Sequence, residues 1–196
     1  MIAEAFLHIS TAFGLSTSAG LNAYIPLLVV AVLGRTPLIT LNAPYEALTS
    51  WWAIGAIGVL LVVEILVDKV PAVDTVNDVI QTLIRPAAGA VLFAATTNTI
   101  DIHPVLAAVL GVILAGGVHA AKAGARPVLN SVTGGVASPV MSTIEDAISL
   151  VASVLAIVAP YLVVALVLIF VALFTWWFLR RRRRKRIVVE STDSGS

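Results

Sequence analysis

The run WWAIGAIGVLLVVEILVDK, residues 51–69, places one acid, Glu64, inside an almost unbroken aliphatic segment and closes on the charged pair Asp68 and Lys69. Two tryptophans open it, as at a membrane–water boundary, where the half-apolar indole ring is at home. From Trp51 to about Val67 the run is just long enough to cross a bilayer as a helix. Four apolar residues precede Glu64 and three follow it, so the carboxylate falls below the interface. At that depth it must be paired, protonated or open to a water-filled cavity. Two readings of Glu64 follow: a proton- or ion-linked group, or one half of a structural ion pair.

The rest of the chain has the same character. Of its 196 residues 59% are hydrophobic and only 12% charged, and the mean hydropathy is +1.02. These values lie outside the soluble range and predict an all-α, polytopic transmembrane helix bundle. Five spans are expected, over residues 14–33, 51–67, 75–95 with an interruption at Arg85-Pro86, 105–121 and 147–178, with short re-entrant or interfacial helices allowed for. The last run is 32 residues long, about 48 Å as a helix against roughly 30 Å of hydrocarbon, and is read as one helix kinked near Pro160. Ser142 with Glu145 three residues on has the capping-box pattern for its start. Residues 1–179 form a single transmembrane domain and 180–196 a disordered tail.

Charge is distributed unevenly. Seven of the twelve Lys and Arg form the block 180–186, leaving five basic against nine acidic groups in residues 1–179. Following WWFL at the end of an apolar run, the block reads as a cytoplasmic stop-transfer anchor and not as a nucleic-acid site. It sets the expected orientation, with the C-terminus inside the cytoplasmic membrane, and it would attract anionic lipid at about 1 kcal/mol per basic residue near the surface. The opening MIAEAFLHIS carries an acid and a histidine where a cleavable signal would be basic, so it is expected in the mature chain.

No catalytic or metal motif emerges. Zero cysteines exclude disulfides, thiolate metal sites and cysteine nucleophiles. Neither G-x-S-x-G, H-E-x-x-H nor a P-loop occurs, and His8, His103 and His119 lack ligand spacing. No enzyme, metal or cofactor is therefore expected.

The polar residues instead recur at helical spacing. Glu64 and Asp68 share one helix face. Asp74, Asp78, Gln81 and Arg85 form a second stripe opposed by Val76, Val79, Ile80 and Leu83, which reads as the wet face of an interfacial helix. His119, Lys122 and Arg126 make a basic stripe, and Ser138, Ser142, Glu145, Ser149 and Ser153 a polar one, with Asp146 at the positive end of its helix. The acidic and basic stripes are expected to meet in the bundle. They would either lock its halves together or line a polar vestibule. Asn22 and Pro26 lie inside the first span, in a stretch rich in Gly, Ser and Thr, where small residues let helices approach closely and the proline frees backbone groups for neighbours to satisfy. PAVDTV at 71–76 matches PVLNSV at 127–132, a weak internal repeat.

The words GLNAYIPL, EILVDKVPAVD, RPAAG, HAAKAGARP, TGG and SPVMSTIED, in this order, resemble the domain of unknown function 4126, a family of small bacterial membrane proteins. The resemblance covers residues 14–160 and departs at Ser138-Pro139, where the family pattern has Asn-Pro. It implies membrane residence and a shared polar core, and brings no established activity. The expectation is a small transporter or channel-like protein. Glu64, Asp68 and His119 would be its proton- or ion-linked groups, Lys122 and Arg126 would receive a small anion or lipid headgroup, and Asn22 and Glu145 would lie at the same site. The alternative is a non-transporting scaffold or lipid-binding protein whose charges are structural. A homodimer suits so short a chain.

Overall fold

The computed structural model describes residues 2–68, 71–97, 100, 102–133 and 137–160, with scattered positions from 162 to 180. Among them are six α-helices: α1 Ile2–Ala19, α2 Tyr24–Leu33, α3 Trp51–Val67, α4 Pro71–Thr97, α5 Pro104–Thr133 and α6 Ala137–Val158. No strand occurs among the described residues. Three helices are long and apolar enough to cross a membrane, over Val79–Thr97, Pro104–Ala125 and Pro139–Val158, while α2 and α3 are shorter apolar helices.

Polarity is inverted relative to a protein built for water. Val62, Leu66, Leu83, Ile113 and Val151 face outward, whereas Ser16, Ser18, Gln81, Arg85, Ser149 and Ser153 are buried. An aliphatic exterior suits a hydrocarbon solvent, which forces the polar groups inside to satisfy one another.

The helices run antiparallel around α1 and α4. Ser16 donates to the Gly89 carbonyl, and His8 lies against the Thr96 carbonyl, so the end of α1 meets the middle of α4. α4 and α5 cross at Gly89 and Gly111, where a Cβ on either residue would overlap the other's backbone. Small residues permit that approach. Leu15, Ala19, Ala88, Leu92, Ala115 and Ala156 fill the space beneath it.

Several sequence expectations change. Residues 14–33 are not one helix: α1 ends at Ala19, and α2 begins afresh at Tyr24. The Asn22 side chain accepts from the backbone N–H groups of Tyr24 and Ile25 and so caps α2. Pro26, at its third position, occupies a place where a missing N–H costs no helical bond. The turn between them is held against Lys122 and Asp146. These residues lie about 5–10 Å in from the ends of the α5 and α6 spans, at 1.5 Å per residue, so the α1–α2 hairpin turns inside the bundle.

α4, conversely, is continuous through Arg85-Pro86, with the proline ring packed toward Gly116 of α5. α6 starts at Ala137, so Ser142 is interior to it and not a cap. It ends at Val158, just before Ala159-Pro160. The two short matching segments occupy unlike places, since Pro71 opens α4 while 127–132 lies in the last turns of α5. Lys69, the side chains of Asp74, Asp78, Arg126 and Ser138, and the tail beyond Arg180 lie outside the described residues.

Candidate functional site

α3 buries only two of its residues, Ile57 and Glu64, two helical turns apart on one face. That single face carries Glu64 inward while Val62, Val63 and Leu66 point out. On α4, Asn77, Gln81 and Arg85 recur at spacings of four and share the face that meets it.

Arg85 is fully buried and forms the centre. Its Nη2 donates to Glu64 Oε1 at 3.2 Å, and its Nη1 lies 3.2 Å from His119 Nδ1. A guanidinium can only donate, so Nδ1 must accept, and the imidazole carries its proton on Nε2. That nitrogen, 3.0 Å from Thr82 Oγ1, is the donor to the hydroxyl. The geometry therefore describes a neutral His119 between a cation and a hydroxyl.

Around this centre the other charges are paired. Asp68 accepts from Asn77 Nδ2 at 2.7 Å and from Ser142 Oγ at 2.8 Å, tying α3, α4 and α6 together. Lys122 Nζ meets Glu145 Oε2 at 2.6 Å and donates to the Leu21 carbonyl at 3.2 Å. Asn22 Nδ2 donates to Asp146 Oδ1 at 2.9 Å. Ser18 joins the hydroxyls of Ser149 and Ser153 at 2.9 and 2.7 Å. Among the described residues, three buried side-chain atoms have no hydrogen-bond partner: Glu64 Oε2, Gln81 Oε1 and Arg85 Nε. Among the described residues no group of three or more His, Asp and Glu is placed to hold a metal ion.

Glu64, Asp68, His119, Lys122, Glu145 and Asn22 are all buried, and they lie toward one end of the bundle. Their pairing differs from the simplest expectation. The acids of α3 turn to α4 and α6, while Lys122 of α5 is taken by Glu145. Gln81 and Arg85 belong to the core and not to a wet face, while Val79, Ile80 and Leu83 opposite them point outward. The periodicity is as expected, but the solvent on each side is exchanged. Asn77, Thr82, Ser18 and Tyr24 were not singled out by sequence reasoning. The i, i+4 series Asn77–Gln81–Arg85 is the signal that carries the first of them, and Tyr24 has no comparable one.

A bundle whose membrane-length apolar helices enclose charged pairs defines a class of helical proteins with a polar core. Within it the chain belongs to the family described as "Domain of unknown function (DUF4126)", whose model matches residues 9–181. No curated protein and no solved structure matches it.

Proposed function

We propose that this is a small multi-pass protein of the cytoplasmic membrane, transporter-like or channel-like, in which Glu64, Arg85 and His119 form a proton- or ion-handling site. The observation that carries this reading is the state of Glu64: a carboxylate 2% exposed, bound by Arg85 through one oxygen and left without a partner at the other. A purely structural ion pair gains by satisfying both oxygens, because a buried unpaired acceptor costs about 1–3 kcal/mol. A site that exchanges a proton or ion needs one oxygen left available. The hairpin turn at Asn22, inside the bundle and against Lys122 and Asp146, supports the reading, since transporters place broken-helix ends at their sites.

A second reading rests on the remaining pairs. Asp68 and the Lys122–Glu145 pair are matched in place, as in a scaffold or lipid-binding protein whose charges hold the bundle together. Reconstitution separates the two. Wild-type protein in liposomes should dissipate an imposed proton or ion gradient, and Glu64→Gln should lose that flux while remaining folded. Equal, background-level flux in both would leave the scaffold reading standing.

A further inference from the structure

The three unpartnered atoms at the centre share one neighbourhood. Arg85 is bonded to Glu64, Gln81 lies one helical turn before Arg85 on the same face of α4, and Tyr24 of α2 packs in one cluster with Ile57 of α3 and Ile84 of α4. Each of the three is at least nine-tenths buried, at 2%, 2% and 0% exposure for Glu64, Gln81 and Arg85. The unpaired set comprises two acceptors, Glu64 Oε2 and Gln81 Oε1, and one donor, the Arg85 Nε–H.

From this pattern we infer that the junction of α2, α3 and α4 is a binding site for a single water molecule, held by Glu64, Gln81 and Arg85. The complement of two acceptors and one donor is a species with two protons to give and one lone pair to offer. Water meets that description and makes about three hydrogen bonds when buried. A metal cation does not, because the guanidinium already lies 3.2 Å from the same carboxylate and the Nε–H would stay unsatisfied. An anion is opposed by two oxygens, one of them charged. An alcohol has only one proton and would leave one oxygen without a partner.

Such a water makes the free oxygen of Glu64 exchangeable although no protein donor reaches it. It also fixes Gln81 as a positioning residue, acting on Glu64 through the water. The inference stands apart from the transport reading: water without flux would sink transport alone, and flux through a dry site would sink this inference alone.

The test uses the full chain in lipid nanodiscs. A structure resolving ordered solvent should show one peak within hydrogen-bond distance of Glu64 Oε2, Gln81 Oε1 and Arg85 Nε. Infrared spectra recorded in H2-18-O should contain a shifted O–H band from a strongly bound water, absent in Gln81→Leu. Gln81→Glu, which keeps an acceptor at that position, should retain it. If Gln81→Leu does not fold, Gln81→Met supplies a flexible apolar replacement with the same expected loss. A centre whose side chains close on one another without a peak, a peak with the coordination of a metal ion, or a band insensitive to Gln81 would overturn the assignment.

Discussion

The Arg85 guanidinium meets the Glu64 carboxylate at 3.2 Å with both side chains 1% exposed, and this pair joins the Asp68–Asn77 bond as a polar link between α3 and α4. α3 contributes little else to the interior, since only Ile57 accompanies Glu64 there. Replacing Arg85 by Ala should therefore cost about 3–5 kcal/mol, the penalty for stranding a buried charge. Arg85→Lys should fall between wild type and Ala, because an ammonium lacks the planar fork that reaches Glu64 and His119 together. The double variant Glu64→Gln/Arg85→Gln should be less destabilised than Arg85→Ala. Denaturation in mixed micelles reads all three, and an Arg85→Ala protein as stable as wild type would contradict the buried pair.

Lys122 and Glu145 provide a reciprocal test. Lys122→Glu should destabilise strongly by setting two carboxylates against each other, and adding Glu145→Lys should restore most of the loss. Restoration should stop about 1 kcal/mol short, the ordinary worth of one hydrogen bond, because Lys122 also donates to the Leu21 carbonyl and the exchanged lysine starts from another helix. A double variant no better than Lys122→Glu alone would place the two residues apart.

Ser142 distinguishes a bond across the bundle from a helix cap. It donates to Asp68 Oδ2 at 2.8 Å, so Ser142→Ala should cost about 1–3 kcal/mol in the presence of Asp68. The loss should shrink in an Asp68→Asn background. A cap would give the same loss in both backgrounds, and the thermodynamic cycle decides between them.

Gly111 faces the Gly89 backbone so closely that an added Cβ would overlap the Gly89 carbonyl oxygen. Gly111→Ala should push α4 and α5 apart and cost about 1–3 kcal/mol, the range for overpacking a filled interior. Gly55→Ala and Gly58→Ala on α3 meet open space and should be neutral or slightly stabilising. Thermal unfolding of the three variants, side by side, checks the contrast.

The helical class and the buried residues were largely legible in the sequence, because hydrocarbon-length runs and stripes of period 3.6 leave a strong local record. Glu64, His119 and Lys122 announce themselves by standing among apolar or small neighbours, and Glu145 by its place in the serine stripe. The partners do not, since which cation answers which acid depends on helix rotation and depth, and local spacing encodes neither. The α4 stripe shows the ambiguity: one periodicity fits a wet face beside apolar packing and a buried polar seam beside lipid. The break at residues 20–23 was not read in advance although Asn22 and Pro26 stand beside it, because a proline inside an apolar run marks a kink as readily as a new start. Only the capping bonds from Tyr24 and Ile25 to Asn22 separate the two.

The α1–α2 hairpin has a consequence for how the chain is made. Ser16 finds its partner 73 residues later, Asn22 124 residues later, and Ser18 at 131 and 135 residues' remove. During synthesis the hairpin therefore emerges with the long-range partners of the Ser16 and Ser18 hydroxyls and of the Asn22 Nδ2 still to come. It must wait, sheltered by water, lipid headgroups or the insertion machinery, until α4 and then α6 arrive. A ribosome stalled before residue 146 would leave the hairpin without its Asp146 contact, so α6 completes what α1 begins.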